Sequence, residues 1–308
     1  MELSSIQHID SSQIADFKAD IFITTVGFET RSTTVARMFE RISCKKIALE
    51  KRNCIKEFSY LENISYFGEQ GFEIFRVESE VPDVDAILNT LTGEQINVLI
   101  DCTSMSPNWY YEFFRWFYEN QDRDGRVCMR IVYTMASYVR QPGSHKVKEI
   151  SEFLHEEIKP ANGKKTALVL GLGQENNISE SIYKIINPDL LYLFYADPPV
   201  EKRFVEKVFV NNHKLINSVP IRNLVAYPIR NGQAIYQSLI DTILPLRDEY
   251  SIVLIPQGPK IFSVVTMLVH MGYPDIKISY PVFKKPPAAD RLPKDEPVVL
   301  DILFEGED

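Results

Sequence analysis

Asp20-Ile-Phe-Ile-Thr-Thr-Val26 runs straight into Gly27-Phe28-Glu29-Thr30-Arg31-Ser32, and a stretch of helical period follows. An apolar, β-branched run that breaks at a glycine and resumes with helical spacing predicts a strand, a tight turn and a helix. Past the midpoint the grammar returns. Thr166-Ala-Leu-Val-Leu170 ends in Gly171-Leu172-Gly173-Gln174-Glu175-Asn176, again ahead of a helix-period stretch. A strand that turns directly into a helix leaves backbone N–H groups and a positive dipole end facing the turn, where an anion can sit. A phosphate-bearing ligand is therefore the leading expectation.

Outward from these two stretches, strands and helices alternate. In the first half strands are expected at 20–26, 45–50, 72–77, 96–102 and 127–135, with helices at 32–42, 57–68, 83–92 and 107–119. In the second, strands are expected at 166–171, 189–195, 224–227, 251–256 and 276–283, with helices at 178–187, 199–211, 232–245 and 259–271. Such alternation with short connections predicts an α/β chain of two tandem doubly wound, Rossmann-like domains with mainly parallel sheets. The fourth strands also correspond: Ile96–Cys102 leads into Thr103-Ser104-Met105-Ser106, and Ser251–Ile255 into Pro256-Gln257-Gly258-Pro259-Lys260. This correspondence of pattern fits an internal duplication, or two unrelated domains that share α/β grammar.

The boundary falls in polar, Pro- and Gly-bearing sequence. The reading gives an N-terminal domain over 1–145, a connecting helix and linker over 146–163, and a C-terminal domain over 164–308. The connecting helix would span 146–158, with Val147, Ile150, Phe153, Leu154 and Ile158 on one face. The last domain would end in a proline-rich arm and a short strand from Val298 to Phe304.

Composition narrows the classes. At 308 residues, 45% hydrophobic and 25% charged, the chain has the make-up of a folded protein. A formal charge of -8 argues against non-specific wrapping of duplex DNA, which needs a basic face. The cluster Lys45, Lys46, Lys51, Arg52 and Lys56 reads as a solvated edge. Cys44, Cys54, Cys102 and Cys128 show no zinc spacing, so no metal is expected, and no apolar run approaches the ~18 residues of a membrane span. A reducing cytoplasm is the simplest placement.

Several clusters could carry chemistry. Gly27 permits the sharp exit from its strand, Ser32 or Thr30 could cap a helix, and Arg31 offers a fork suited to phosphate. Glu29 could accept from a ribose hydroxyl, or pair with Arg31 and only stiffen the turn. Thr103 and Ser104 could bond a phosphate or base, while Ser106 before Pro107 reads as an N-cap. Gly171-Leu172-Gly173-Gln174 is a partial dinucleotide fingerprint lacking the third glycine, and Asp197 stands where an acidic ribose partner is expected. In Gln257-Gly258-Pro259-Lys260 the glycine permits close approach, and Lys260 at a helix start opposes the dipole unless an anion binds there. Arg140, Lys284 and Lys285 would add positive charge near the last strands. Helix 107–119 carries two adjoining aromatic stripes, which fit either a thick core or a surface for another domain or protein.

Over 164–283, and less clearly over 18–140, the chain resembles the Rossmann-type CRISPR-associated (CARF) sensor domains. The likeness rests on Gly171-Leu172-Gly173-Gln174, on Asn187-Pro188-Asp189 before Leu190–Tyr195, and on the Gln257-Gly258-Pro259-Lys260 turn. The resemblance implies that the loops after strands one and four hold a ligand, typically a cyclic oligonucleotide. The Gly-Gly-Thr-Lys turn of that class is absent, and no nuclease-like segment follows residue 283.

Together these readings predict a protein that binds a nucleotide or related phosphorylated small molecule, as a sensing or regulatory component in prokaryotic antiviral defence. The cofactor is left open. An enzyme on a nucleotide or sugar phosphate is the alternative, with Glu29 or Asp101 as general acid/base or Ser104 as nucleophile. An interaction scaffold using helix 107–119 and the proline-rich arm is a third.

Overall fold

A computed structural model describes residues 2–89, 91–120, 125–139, 147–152, 163–283 and 288–306, without the side chains of 2, 11, 147–152 and 281–283. In chain order the strands are β1 (Glu2–Ile9), β2 (Ile21–Thr25), β3 (Lys45–Lys51), β4 (Glu73–Val77), β5 (Gln95–Asp101) and β6 (Arg126–Tyr133). They continue as β7 (Val147–Glu152), β8 (Lys165–Gly171), β9 (Leu190–Ala196), β10 (Leu224–Tyr227), β11 (Tyr250–Ile255), β12 (Lys277–Phe283) and β13 (Val298–Glu305). The helices are α1 (Thr34–Met38), α2 (Tyr60–Glu69), α3 (Val84–Leu88), α4 (Pro107–Glu119), α5 (Ile178–Ile186), α6 (Lys202–Ser218), α7 (Gly232–Ile243) and α8 (Lys260–Gly272).

The chain divides into two compact units, one of Met1–Ser137 with Ala288–Asp308 and one of Tyr138–Pro287. The sheet of the first has the order β1-β13-β6-β5-β2-β3-β4, and that of the second β10-β9-β8-β11-β12-β7. In the first, β4, β3, β2, β5 and β6 run parallel. In the second, β10, β9, β8, β11 and β12 do. Numbered by appearance within its own unit, each parallel set reads 3-2-1-4-5. Both units are therefore doubly wound, and each has its switch point between strands one and four.

The parallel strands form because their apolar runs are buried on both faces. Every residue of Ile21–Thr25 is buried, as is every residue of β11 after Tyr250. In the first unit Phe22 packs edge-on to Phe39 and Phe72 beneath the helices. In the second Leu168, Leu170 and Leu193 meet Ile178, Ile182 and Leu215 from α5 and α6.

Two boundary expectations are corrected. Val147–Glu152 is not a helix but a strand, antiparallel to β12 from Val147 opposite Phe283 to Glu152 opposite Ser279. Pairing with an otherwise open sheet edge overrides the weak helical period of this stretch; 153–162 lie outside the described residues. The tail is not the end of the second domain either. β13 inserts between β1 and β6, antiparallel to both, so its apolar face is buried in the first unit. Arg130 and Asp301 fix the register with bonds of 2.7 Å from each side of the guanidinium fork, and Arg130 also donates to the carbonyls of Gln13 and Ile14.

The aromatic helix is core. Trp109 Nε1 donates to the Glu80 carbonyl and Trp116 Nε1 to Asp85 Oδ1, while Phe117 stacks on Phe304 of β13. Tyr110, Tyr111, Phe113 and Phe114 are buried too. Only Tyr118 among its aromatics is partly exposed, so the thick-core alternative describes this helix and an open aromatic docking face does not.

Candidate functional site

At the switch point of the first unit the loop after β2 is filled by the protein itself. Arg31 is 5% exposed, and its Nε lies 2.6 Å from Glu29 Oε2. Its NH1 donates to the Thr134 carbonyl at 2.6 Å. Burial opposes the charge on Arg31, but Tyr133 and Glu29 outweigh it and push the guanidinium pKa upward. The other oxygen of Glu29 takes Arg291 NH1 at 2.5 Å. Glu29 and Arg31 thus form the internal ion pair that was the alternative to ligand binding, and both Glu29 oxygens are engaged by guanidinium groups.

The neighbouring residues continue this pattern. Ser32 Oγ and Ser104 Oγ lie 2.6 Å apart, and a side chain at Gly27 would collide with both. Gly27 therefore makes room for two serines of this chain. Asp101 is fully buried; it accepts from Thr24 Oγ1 at 3.0 Å and from the Thr103 N–H at 2.9 Å. Thr103 Oγ1 in turn accepts the Thr134 N–H. The hydroxyls proposed for a ligand hold strand ends together here.

The second unit has the same frame with different contents. At Gly171 an added Cβ would lie 2.6 Å from the Gln257 carbonyl oxygen and from Phe262 Cε1, so β8 meets the loop after β11 without space for a side chain. Gly258 has φ +98, a left-handed backbone that favours glycine, and its Cβ would lie 2.9 Å from the Leu172 carbonyl. Gly173 faces Gly258, with the Glu175 carboxylate over it. The backbone N–H groups of Gly173, Gln174 and Gly258 donate to no acceptor among the described residues. Gln257 is buried, Gln174 and Lys260 are half-buried, and Asp197 is exposed just past β9. The structure thus gathers Gly171, Gly173, Gln174, Gln257, Gly258 and Lys260 at one switch point. Arg140, Lys284 and Lys285 lie outside the described residues.

An asparagine that was not singled out from sequence braces each loop. Asn63 of α2 donates from Nδ2 to the carbonyls of Gly27 and Glu29, both at 2.9 Å. Asn212 of α6, the equivalent second helix, donates to the Gly173 carbonyl at 3.0 Å, and Asn211 to that of Gln174 at 2.5 Å. Holding a loop by its carbonyls turns its N–H groups elsewhere, which is what an anion cradle requires. The strand-end equivalence goes further: Arg52 N donates to the Val77 carbonyl where Asp197 N donates to that of Tyr227. The position that carries an acid in the second unit carries a base in the first.

No protein-family model matches this chain, and no curated protein does. Among solved structures it aligns with the cytoplasmic domain of a prokaryotic cation chloride cotransporter, at 11% identity and a TM-score of 0.25, covering 86% of this chain and 96% of that one. No helix among the described residues is long and apolar enough to cross a membrane.

Proposed function

We propose that this chain binds a nucleotide or a related phosphorylated small molecule at the strand-end loops of its second unit, as a sensing or regulatory protein. One observation carries the reading. Gly171, Gly173 and Gly258 bring two backbone segments together at a switch point, leaving three N–H groups without acceptors among the described residues. Such groups suit phosphate oxygens. Lys260 would add charge, and Glu175 and Asp197 would accept from ribose hydroxyls. The likeness to CARF domains puts cyclic oligonucleotides in the ligand class, with a role in antiviral defence as part of the same proposal.

Calorimetric titration with AMP, ADP, ATP and cyclic oligonucleotides tests it, on the wild type and on Gly173→Val. Binding to the wild type should weaken at least about 100-fold in the variant while the circular dichroism is unchanged, since a filled loop cannot approach phosphate. Silence across the panel, together with no small molecule released from purified protein, would sink the proposal. So would affinity that ignores the substitution.

A further inference from the structure

The segment from Ala288 to Lys294 crosses the switch point of the first unit before the chain enters β13. Asp290 accepts the Thr30 N–H at Oδ1 and the Thr30 hydroxyl at Oδ2, both at 2.7 Å. Arg291 pairs with Glu29, and its carbonyl accepts the Arg31 N–H at 3.3 Å. Further along, Ser137 N donates to the Leu292 carbonyl and Lys294 N to that of Met135. A carboxylate held by one N–H and one hydroxyl of a glycine-led loop has the valence pattern of a phosphate in such a loop.

A second observation concerns the strand ends themselves. Thr25 Oγ1, at the end of β2, and Thr134 Oγ1, just past β6, are buried without a hydrogen-bond partner among the described residues. Buried hydroxyls are normally satisfied by hydrogen bonds, so these two remain able to bond a polar group brought to the strand ends. Thr134 stands next to Met135, which holds the crossing segment, and its carbonyl takes Arg31. A carboxylate already seated on a glycine-led loop, with two buried hydroxyls at the ends of β2 and β6, is an arrangement that a phosphate-bearing ligand could take over.

We infer that the first unit holds a second site for a phosphate-bearing ligand and that Ala288–Lys294 is its occupant in cis, so that the site opens only when this strap is released. The inference rests on the reading of the second unit only for the choice of probe. Strap and site belong to one compact unit, and β13 anchors the strap's far end in the sheet. Release therefore need not unfold the unit.

The test uses the full chain and the double variant Asp290→Ala/Arg291→Ala. Hydrogen exchange should quicken at least tenfold over 27–33 and 288–294 while β13 keeps its protection, and equilibrium dialysis against ADP should show one more equivalent bound than in the wild type. Quicker exchange with no added equivalent, up to millimolar ADP, would overturn the inference, because the strap would then only close a loop. Unchanged exchange would overturn it too, because these contacts would not be what holds the strap. Should the double variant lose β13 protection, Asp290→Ala alone is read in the same way, since it removes the carboxylate seated on Thr30 and leaves Arg291 on Glu29. A rise from zero to one equivalent sustains this site and sinks the reading of the second unit; one equivalent in both proteins does the reverse.

Discussion

Glu29 and Glu175 each stand two residues beyond the glycine that follows a first strand, Gly27 and Gly173. Each loop is braced by an amide from the second helix, Asn63 or Asn212. There the likeness stops. Glu29 lies between two arginines and is buried, whereas Glu175 is half-exposed with no arginine partner among the described residues. One frame thus carries two sets of contacts. In the first unit charges are spent on each other, which rigidifies the strand ends; in the second backbone donors remain available. The comparison teaches that a glycine at a strand end reports close approach, and that the neighbours decide what approaches.

The sharpest break in that comparison is Arg31→Met. It leaves buried Glu29 with one partner and the Thr134 carbonyl without its donor, so the first unit should lose about 3–5 kcal/mol. Urea denaturation followed by hydrogen exchange should show the transition of the second unit unmoved. An equal loss in both would mean that the pair is not a local device.

Gly171→Ala is the counterpart in the second unit. Its Cβ would press on the Gln257 backbone, which cannot rotate away, at a cost of about 1–3 kcal/mol. The last residue of the corresponding strand in the first unit is Thr25, so a side chain is accommodated there. Stability unchanged by the substitution would refute the tight contact.

Asn63→Ala and Asn212→Ala sharpen the shared part. Each strips a donor from loop carbonyls, and each should destabilise its own unit by about 1–2 kcal/mol. Thermal unfolding of both variants checks this; a silent Asn212→Ala would confine the brace to the first unit.

The smallest effect is expected from pH. Burial pushes the Glu50 carboxyl up, but hydrogen bonds from Tyr60 and Arg76 outweigh it and hold the carboxyl below the ordinary range. A depressed folded-state pKa contributes stability that is full above the unfolded value, about 4.3, and drains as pH falls through the folded one. Arg76 is largely exposed, so the contribution should stay below about 1 kcal/mol. Acid unfolding of the first unit should be steeper in the wild type than in Glu50→Gln; identical curves would remove Glu50 from the account.

The legible elements were those with strong local pattern. β2, β8 and their successors, α4 from Pro107 to Glu119, and the final strand all announce themselves by apolar period and by turn residues. Val147–Glu152 misled because its short pattern fits a helix as well as a strand, and only the edge of β12 arbitrates. The candidate site was half legible. Gly171, Gly173 and Gly258 could be named because glycine after a strand is a physical signal. Asp290 and Arg291 gave no signal, since their partners lie more than 250 residues away. Asn63 and Asn212 were equally silent, because a helical asparagine declares no target.

The sequence alone determined the alternation of strand and helix, the two strand-to-helix turns and the need for glycine in them, because these follow from side-chain spacing and backbone sterics along a few residues. Tertiary structure alone decided that the tail returns to the first sheet, that Arg31 is bound by Glu29, and that the tail's carboxylate takes an N–H of one loop while its twin keeps N–H groups without acceptors among the described residues. Those outcomes depend on which charges and hydrogen-bonding groups meet after distant segments are brought together, and no local pattern encodes that meeting.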